Sequence, residues 1–280
     1  MNIKEIAYKI RHSKLLEKQE NLWSILRKPY HFFIDPFNNG VKLNLTTDFF
    51  IRIPASFYKS DYANYEIESV LKIHEWVKNN SDSVAIDIGT AWGYFSSIIL
   101  HSSSNSIVYG IDSDIVSVKV SKWVCSYVKN SKARFYPINC LISDTSDESI
   151  TVDKAIKITE EKLNNLSNSI NPSDTKYVNL GTSEASQIPI YSIDKLFRDL
   201  NVETKIIIKC DIEGAEILAL KGANSFIKKH KPVLLLSVHP DLILNYNSTK
   251  ENVANILNEL NYNVEILAID HEEHWWCESK

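Results

Sequence analysis

From position 83 onward, short apolar runs alternate with segments in which apolar residues recur three and four positions apart. Runs of this kind predict buried strands, and the three-to-four spacing predicts helices with one covered face. The predicted strands are SVAIDIG (83–89), SIVYGID (106–112), ARFYPINCLI (133–142), KIIIKCDI (205–212), PVLLLSVH (232–239) and NVEILAID (263–270), with a last short strand around Trp275 and Trp276. The predicted helices are Gly93 to His101, Ile115 to Lys129, SIDKLFRDL (192–200), Ala215 to Lys228 and Asn252 to Leu260. Another, Tyr65 to Asn79, carries Ile67, Val70, Leu71 and Val77 on one face and stops at NNSD. Strand alternating with helix implies parallel crossovers, so the fold expected is a doubly wound α/β sheet covered on both faces and closed by an antiparallel pair.

Two stretches depart from this alternation. Residues 1–64 read as an extension, with a helical lead-in over 1–28 (Ile6, Ile10, Leu15, Leu16) and a β-hairpin turning at Asn38-Asn39-Gly40. The main domain is then 65–280. Within it, residues 145–190 are rich in Ser, Asn, Thr and Asp around one helix, Asp153 to Leu166. An insertion of that length in a compact domain suggests a substrate lid.

Composition narrows the function. Lys+Arg 31 against Asp+Glu 35 leaves a net charge of -4 with no basic block, which argues against nucleic acid and for a small or neutral substrate. The four cysteines, Cys125, Cys140, Cys210 and Cys277, are far apart and form no CxxC pair, so they read as reduced thiols in a cytoplasmic protein. The opening MNIKEIAYKIRHSKLLEK reads as neither signal peptide nor anchor, and no run reaches membrane-spanning length. Contact with a membrane would be peripheral. A homo-oligomer is left open.

The glycines place the chemistry. The chain has only 7, and Gly89, Gly93, Gly110, Gly214 and Gly222 fall in or beside two segments. In VAIDIGTAWGYFS (84–96), Gly89 and Gly93 frame a strand-to-helix turn that lets backbone approach a ligand. Asp112 ends the next strand roughly 20 residues on, where an acid accepts hydrogen bonds from adenosine ribose hydroxyls. Asp87 favours a cofactor carrying an ammonium over one carrying a pyrophosphate, and G-x-x-x-G departs from the dinucleotide pattern G-x-G-x-x-G. Asp87 as a mere cap of the next helix is the alternative. In IIIKCDIEGAEILALKGA (206–223), Lys209, Asp211 and Glu213 alternate along a strand end and are expected on one side of the crevice, while Glu216 suits the following helix N-terminus.

Together these segments resemble the FkbM family of S-adenosylmethionine-dependent methyltransferases, whose patterns are D-[IV]-G-A-N-x-G-[YF] and K-[IV]-D-[IV]-E-G-A-E. Here they read DIGTAWGYFS and KCDIEGAEILALKGA, and YSIDKL resembles the family's helix opening before the fourth strand. The resemblance spans about Tyr65 to His239. Ala91 replaces the usual Asn, Asp112 stands for a Glu, and Ser237 sits where an acid often precedes the His.

The resemblance implies a class I, Rossmann-like methyltransferase fold with a mostly parallel seven-stranded sheet and an antiparallel C-terminal strand. It implies S-adenosylmethionine as cofactor, lined by Asp87, Gly89, Thr90, Ala91, Trp92, Gly93, Tyr94, Asp112, Ser113, Cys140, Leu141 and Asp211. It points to O-methylation of a sugar hydroxyl in bacterial surface glycan or glycoconjugate synthesis. A secondary-metabolite hydroxyl is one alternative, and a non-catalytic cofactor-binding protein is another.

A sugar hydroxyl needs a base or a metal to ionise near neutral pH. His239, at the end of the fifth strand, is the base expected by type and place. The catalytic set is then His239, Asp211, Glu213 and Lys209. Asp211, Glu213 and His239 would also hold a divalent metal (Mg or Mn), an arrangement similar to that of catechol-type and macrolide sugar O-methyltransferases. Tyr177, Tyr191, Trp275 and Trp276 are candidates for stacking on a sugar, with sheet packing the expected role for both tryptophans.

Overall fold

The computed structural model describes residues 41–53, 62, 64–146, 150–166 and 187–280. In chain order, the strands β1 (Val41–Asn44) and β2 (Phe50–Ile53) precede helix α1 (Ile67–Asn79). Then follow β3 (Val84–Ile88), α2 (Tyr94–Ser102), β4 (Ile107–Asp112), α3 (Ile115–Cys125), β5 (Phe135–Asn139) and β6 (Leu141–Ile142). After α4 (Val152–Asn165) come β7 (Ile190–Tyr191), α5 (Ile193–Leu196), β8 (Ile206–Cys210), α6 (Glu216–Gly222) and α7 (Asn224–His230). The chain ends with β9 (Val233–Val238), α8 (Lys250–Glu259), β10 (Tyr262–Ile269) and β11 (Glu273–Ser279).

Seven strands form one sheet in the order β10-β11-β9-β8-β3-β4-β5. Neighbours from β9 to β5 are parallel, and β11 runs antiparallel to both β9 and β10. The chain enters at the centre with β3, winds out to β5, and crosses back to β8. The switch in winding direction therefore falls between β3 and β8, where open α/β sheets leave a ligand crevice.

Side-chain alternation divides the core in two. Val84, Ile86 and Ile88 of β3 face a layer with Ile217, Ile227 and Leu257 from α6, α7 and α8. Ala85, Val108 and Ile207 face the other layer, with Val70, Ile98 and Val120 from α1, α2 and α3. Leu43, Ile51 and Ile53 of the hairpin join this second layer. Each such side chain, fully buried, contributes about 1.5–3 kcal/mol. Local polar residues set the helix starts: Asp114 accepts from the Val116 and Ser117 N–H groups, and Thr249 with Asn252 forms a capping box on α8.

Some boundaries differ from those the sequence predicts. The hairpin seen here turns at Leu45–Asp48, where the Thr46 hydroxyl accepts from the Asp48 and Phe49 N–H groups. Asn38–Gly40 and residues 1–28 lie outside the described residues. ARFYPINCLI divides into β5 and β6 because Leu141 and Ile142 leave the main sheet to pair with Ile190 and Tyr191. That pairing draws the two ends of the 145–190 insertion together. The helix expected from Ala215 to Lys228 is two, α6 and α7, separated at Ala223; Gly222 packs there so tightly that a Cβ would meet the Ser143 carbonyl oxygen at 2.1 Å. SIDKLFRDL keeps α-helix only over α5, opened by the Ser192 cap.

Candidate active site

The crevice is assembled at the C-terminal ends of β3, β4, β8 and β9. After β3 the chain turns through Gly89 (φ +77) and Gly93 (φ +85). Gly89 lies flat against β8, since a Cβ there would meet the Asp211 carbonyl oxygen at 1.8 Å. Only glycine tolerates both that contact and the left-handed backbone. Ala91 is also left-handed, with φ 47.

Asp112, at the end of β4, is held by this turn. Its Oδ2 accepts from the Ala91 N–H at 2.8 Å and its Oδ1 from the Asp114 N–H at 2.9 Å. Burial pushes its carboxyl up to about 7, against the pull of those two N–H groups. Beside it lies a cleft of about 400 Å³ whose lining includes Ser113, Asp114, Asn139, Lys162 and Ile188. Asn139 closes β5, with Nδ2 donating to the Asp112 and Ser113 carbonyls and Oδ1 accepting from Lys162 Nζ at 3.1 Å. Helix α4 of the insertion thus forms a wall of the cleft.

Asp87 has a different setting from the open acid that its position suggests. It is 1% exposed, and its Oδ2 accepts from Thr90 Oγ1 at 3.0 Å and Ser96 Oγ at 2.5 Å. Its register partner is Lys209, which supplies a nearby positive charge. Asp87 Oδ1 is buried without a hydrogen-bond partner among the described residues. Thr90, Tyr94, Cys140 and Leu141 are likewise buried: Thr90 serves Asp87, the Tyr94 hydroxyl donates to the Tyr62 and Tyr65 carbonyls, and Cys140 N–H donates to the Asp112 carbonyl. Trp92 stacks on Tyr62 with ring centres 5.1 Å apart.

On β8, Lys209 Nζ donates to Asp211 Oδ2 at 3.0 Å and lies 5.0 Å from the centre of the Phe95 ring. Burial pulls its pKa down, but Asp211, Asp87 and Glu66 more than reverse this, so Lys209 stays charged. Strand alternation stops at Cys210. Glu213 (φ 54) and Gly214 (φ +97) make a tight turn that carries the Glu213 carboxylate to 3.6 Å from His239 Nε2, with Asp211 Oδ1 at 3.8 Å. Lys209, Asp211, Glu213 and His239 therefore meet, though a turn rather than simple alternation places Glu213.

His239 is clamped between two glutamates. Its Nδ1 donates to Glu216 Oε1 at 3.0 Å, and its Nε2 is 2.5 Å from Glu272 Oε2. Burial pulls the imidazole pKa down, but these two carboxylates raise it to about 11. At neutral pH both nitrogens carry protons. An imidazolium has no lone pair with which to act as a base, so in this state His239 serves as a cation facing the neighbouring acids. Asp211, Glu216 and His239 each bring one possible metal-ligand atom within 4.8 Å of the others.

Glu216 does more than face a helix end: its Oε1 also accepts from the Ile212 and Gly214 N–H groups. Glu272 had no sequence signal, because its partner comes from a different strand. Asn139 and Lys162 were missed for the same reason. Trp275 and Trp276 are buried, with their ring N–H groups donating to Glu273 and Glu278; Tyr191 is buried in the core, and Tyr177 lies outside the described residues. All four cysteines are buried and unpaired. No helix among the described residues is long and apolar enough to cross a membrane.

A family model, the methyltransferase FkbM domain, matches residues 98–264. The chain belongs to the FkbM methyltransferase family. The matched residues form a methyltransferase domain of the FkbM type, as the motifs implied. No curated protein matches it. Among solved structures, the methyltransferase FkbM from Methylobacillus flagellatus KT is 18% identical, with a TM-score of 0.45, over 71% of this chain and 44% of that one. This chain thus spans less than half the length of that protein. The O-methyltransferase from Bacillus cereus in complex with SAH is 12% identical, with a TM-score of 0.41, over 81% of this chain and 84% of that one. A putative caffeoyl-CoA O-methyltransferase from Staphylococcus aureus is 12% identical, with a TM-score of 0.39, over 99% and 98%.

The FkbM motifs acquire physical meaning here. The position where the family usually has Asn is left-handed in this chain, a conformation that Asn tolerates better than the Ala91 present. The last acid of K-C-D-I-E-G-A-E is Glu216, which anchors His239 and closes the turn that carries Glu213. Ser237, where this FkbM chain lacks the common acid, pairs in register with His274.

Proposed function

We propose that this FkbM methyltransferase methylates a hydroxyl oxygen of a sugar, in the cytoplasm, during synthesis of bacterial surface glycans. The observation that carries the reading is the contact between Gly89 and Asp211: the glycine turn of the cofactor half touches the strand end that carries the acid cluster. The residues present fit S-adenosylmethionine. Asp112, oriented by two N–H groups, retains lone pairs for ribose hydroxyls; Ser113 and Asn139 line the adjoining cleft; and the unpartnered Asp87 Oδ1 is an acceptor for an ammonium through water. When bound, this cofactor supplies an activated methyl group on a sulfonium.

The protein's own task is to position the acceptor and take its proton. Glu213 is the base in this reading. It is the most open carboxylate facing His239, and burial together with Asp211, Glu272 and Glu216 raises its pKa despite the opposing pull of His239. Asp211, held by Lys209, orients the acceptor hydroxyl as a hydrogen-bond acceptor. His239 acts as a fixed cation that steadies both acids. A dense set of carboxylates suits a polyol, which offers several hydroxyl donors at once.

The test is to titrate S-adenosylhomocysteine and NAD separately, then to incubate S-adenosylmethionine with nucleotide sugars and glycan fragments and look for products heavier by one methylene. Binding of S-adenosylhomocysteine alone, with a methylated sugar lost in Glu213→Gln, is the expected result. Methylation confined to aromatic or amine acceptors would overturn the sugar assignment.

A further inference from the structure

Beside His239 lies a second cluster that the proposed reaction does not use. Glu66, Glu272 and His274 are 8%, 3% and 0% exposed, and one ligand atom from each lies within 4.8 Å of the others. They come from different elements: Glu66 caps α1 from a left-handed conformation, His274 lies in β11, and Glu272 precedes that strand. His274 Nδ1 is 3.5 Å from Glu66 Oε2, and its Nε2 is 3.5 Å from both Glu272 Oε1 and Asp270 Oδ2.

None of these contacts is a hydrogen bond. Both ring nitrogens of His274 and both carboxylate oxygens of Glu66 are buried without a hydrogen-bond partner among the described residues. A buried polar group left bare in this way destabilises the fold unless something else takes its lone pair or proton. The neighbouring His239 shows what the same residue types do when protons lie between them, closing to 3.0 and 2.5 Å. His274 has three carboxylates within reach and closes on none. One cation takes one ring nitrogen: Nε2 stands 3.5 Å from both Glu272 Oε1 and Asp270 Oδ2, close to the roughly 3.4 Å that bonds of about 2.1 Å at tetrahedral angles set between ligands, and Glu66 brings a ligand atom within 4.8 Å of those of His274 and Glu272.

Acidic side chains gather around the cluster: Asp211, Glu213, Glu216 and Glu272 surround His239, Lys209 pairs with Asp211, and Asp270 and Glu272 face His274.

We propose that Glu66, Glu272 and His274 bind one divalent transition cation of the Mn²⁺ to Zn²⁺ series, with Asp270 as the fourth ligand. One imidazole with carboxylates and no thiolate suits those ions better than a soft metal, and the imidazole disfavours Ca²⁺ and Mg²⁺. Glu272 gives the ion its reach into the active site, since Oε1 faces His274 while Oε2 holds His239. The cation fixes Glu272, and through it the position of His239, while tying the start of α1 to the start of β11. It touches no acceptor in this scheme and acts by positioning.

The test reads metal rather than methyl transfer, so its failure would leave the methyltransferase assignment standing. The full chain is stripped with a chelator and titrated with Co²⁺ and Mn²⁺, following visible absorption, paramagnetic broadening of the His274 ring signals, and melting temperature. One equivalent should bind, with broadening at His274 and a raised melting temperature. Glu66→Gln and His274→Gln should each weaken binding at least tenfold, and Glu213→Gln should leave it intact. Circular dichroism reports whether each variant folds, and broadening in the unaltered protein decides the matter if either does not. No binding by the folded protein, or binding that survives both substitutions or disappears only in Asp211→Asn, would overturn the site.

Discussion

Glu216 Oε1 accepts from His239 Nδ1 at 3.0 Å and, on the same oxygen, from the N–H groups of Ile212 and Gly214. One buried carboxylate oxygen therefore fixes both the turn that presents Glu213 and the histidine that faces it. Glu216→Gln keeps the size and an acceptor oxygen but removes the charge. We expect a loss of about 1.5–3 kcal/mol in urea unfolding, with the His239 titration moving down toward the ordinary histidine range in NMR. An unmoved His239 titration would show that Glu216 does not hold the proton in place.

In the proposed reading, Asp112 makes cofactor affinity depend on pH. Its carboxyl stands at about 7 in the free protein, and ribose hydroxyls donate best to the ionised form. Binding then lowers this pKa, so affinity for S-adenosylhomocysteine should rise with pH through about 7 and protons should be released on binding. Calorimetry in buffers of different ionisation enthalpy measures that release. Asp112→Asn should flatten the profile and weaken binding at high pH.

The glycine turn offers a pair of opposite outcomes. Gly89→Ala forces a methyl into the Asp211 carbonyl at a left-handed residue, and a loss of at least about 3 kcal/mol or failure to fold is expected. Ala91→Asn relieves strain at φ 47 and should stabilise by up to about 1 kcal/mol. Equal effects from the two changes in thermal unfolding would contradict this turn geometry.

His239 also leaves a signature in global stability. Its folded pKa is raised to about 11 from the ordinary 6.5, so its contribution is full below 6.5 and lost as pH rises from there through about 11. Urea unfolding at intervals across that window should show the native protein losing stability faster than His239→Gln. Parallel curves would mean that the imidazolium is not held in this way.

Much of the fold was legible because it rests on local signals. Buried strands such as β3 and β8 have apolar runs, and the glycine turn and the acid-rich strand end have motifs that can be read in one dimension. The hairpin turn at Leu45–Asp48 went unread because it depends on the Thr46 hydroxyl rather than on a glycine. The split between α6 and α7 is a tertiary matter, set where Gly222 meets Ser143. His239 was found by type and place, but its protonation was not, because Glu272 reaches it from the segment before β11. The same holds for Glu66 and His274, brought together from opposite ends of the described chain. Lone charged residues give no periodic signal, and only the packed sheet shows which of them meet.

The contact of Gly89 with Asp211 also bears on how such an enzyme diversifies. No side chain lies between the two main chains there, so the spacing of the cofactor turn from the acid cluster is fixed by backbone alone. Residues around the acceptor can change in size and polarity without altering that spacing. The insertion between β6 and β7 has its ends clasped by a separate ladder. In the proposed reading, a change of residues around the acceptor leaves the backbone contact of Gly89 with Asp211, and so the reach between the two halves of the crevice, as it stands.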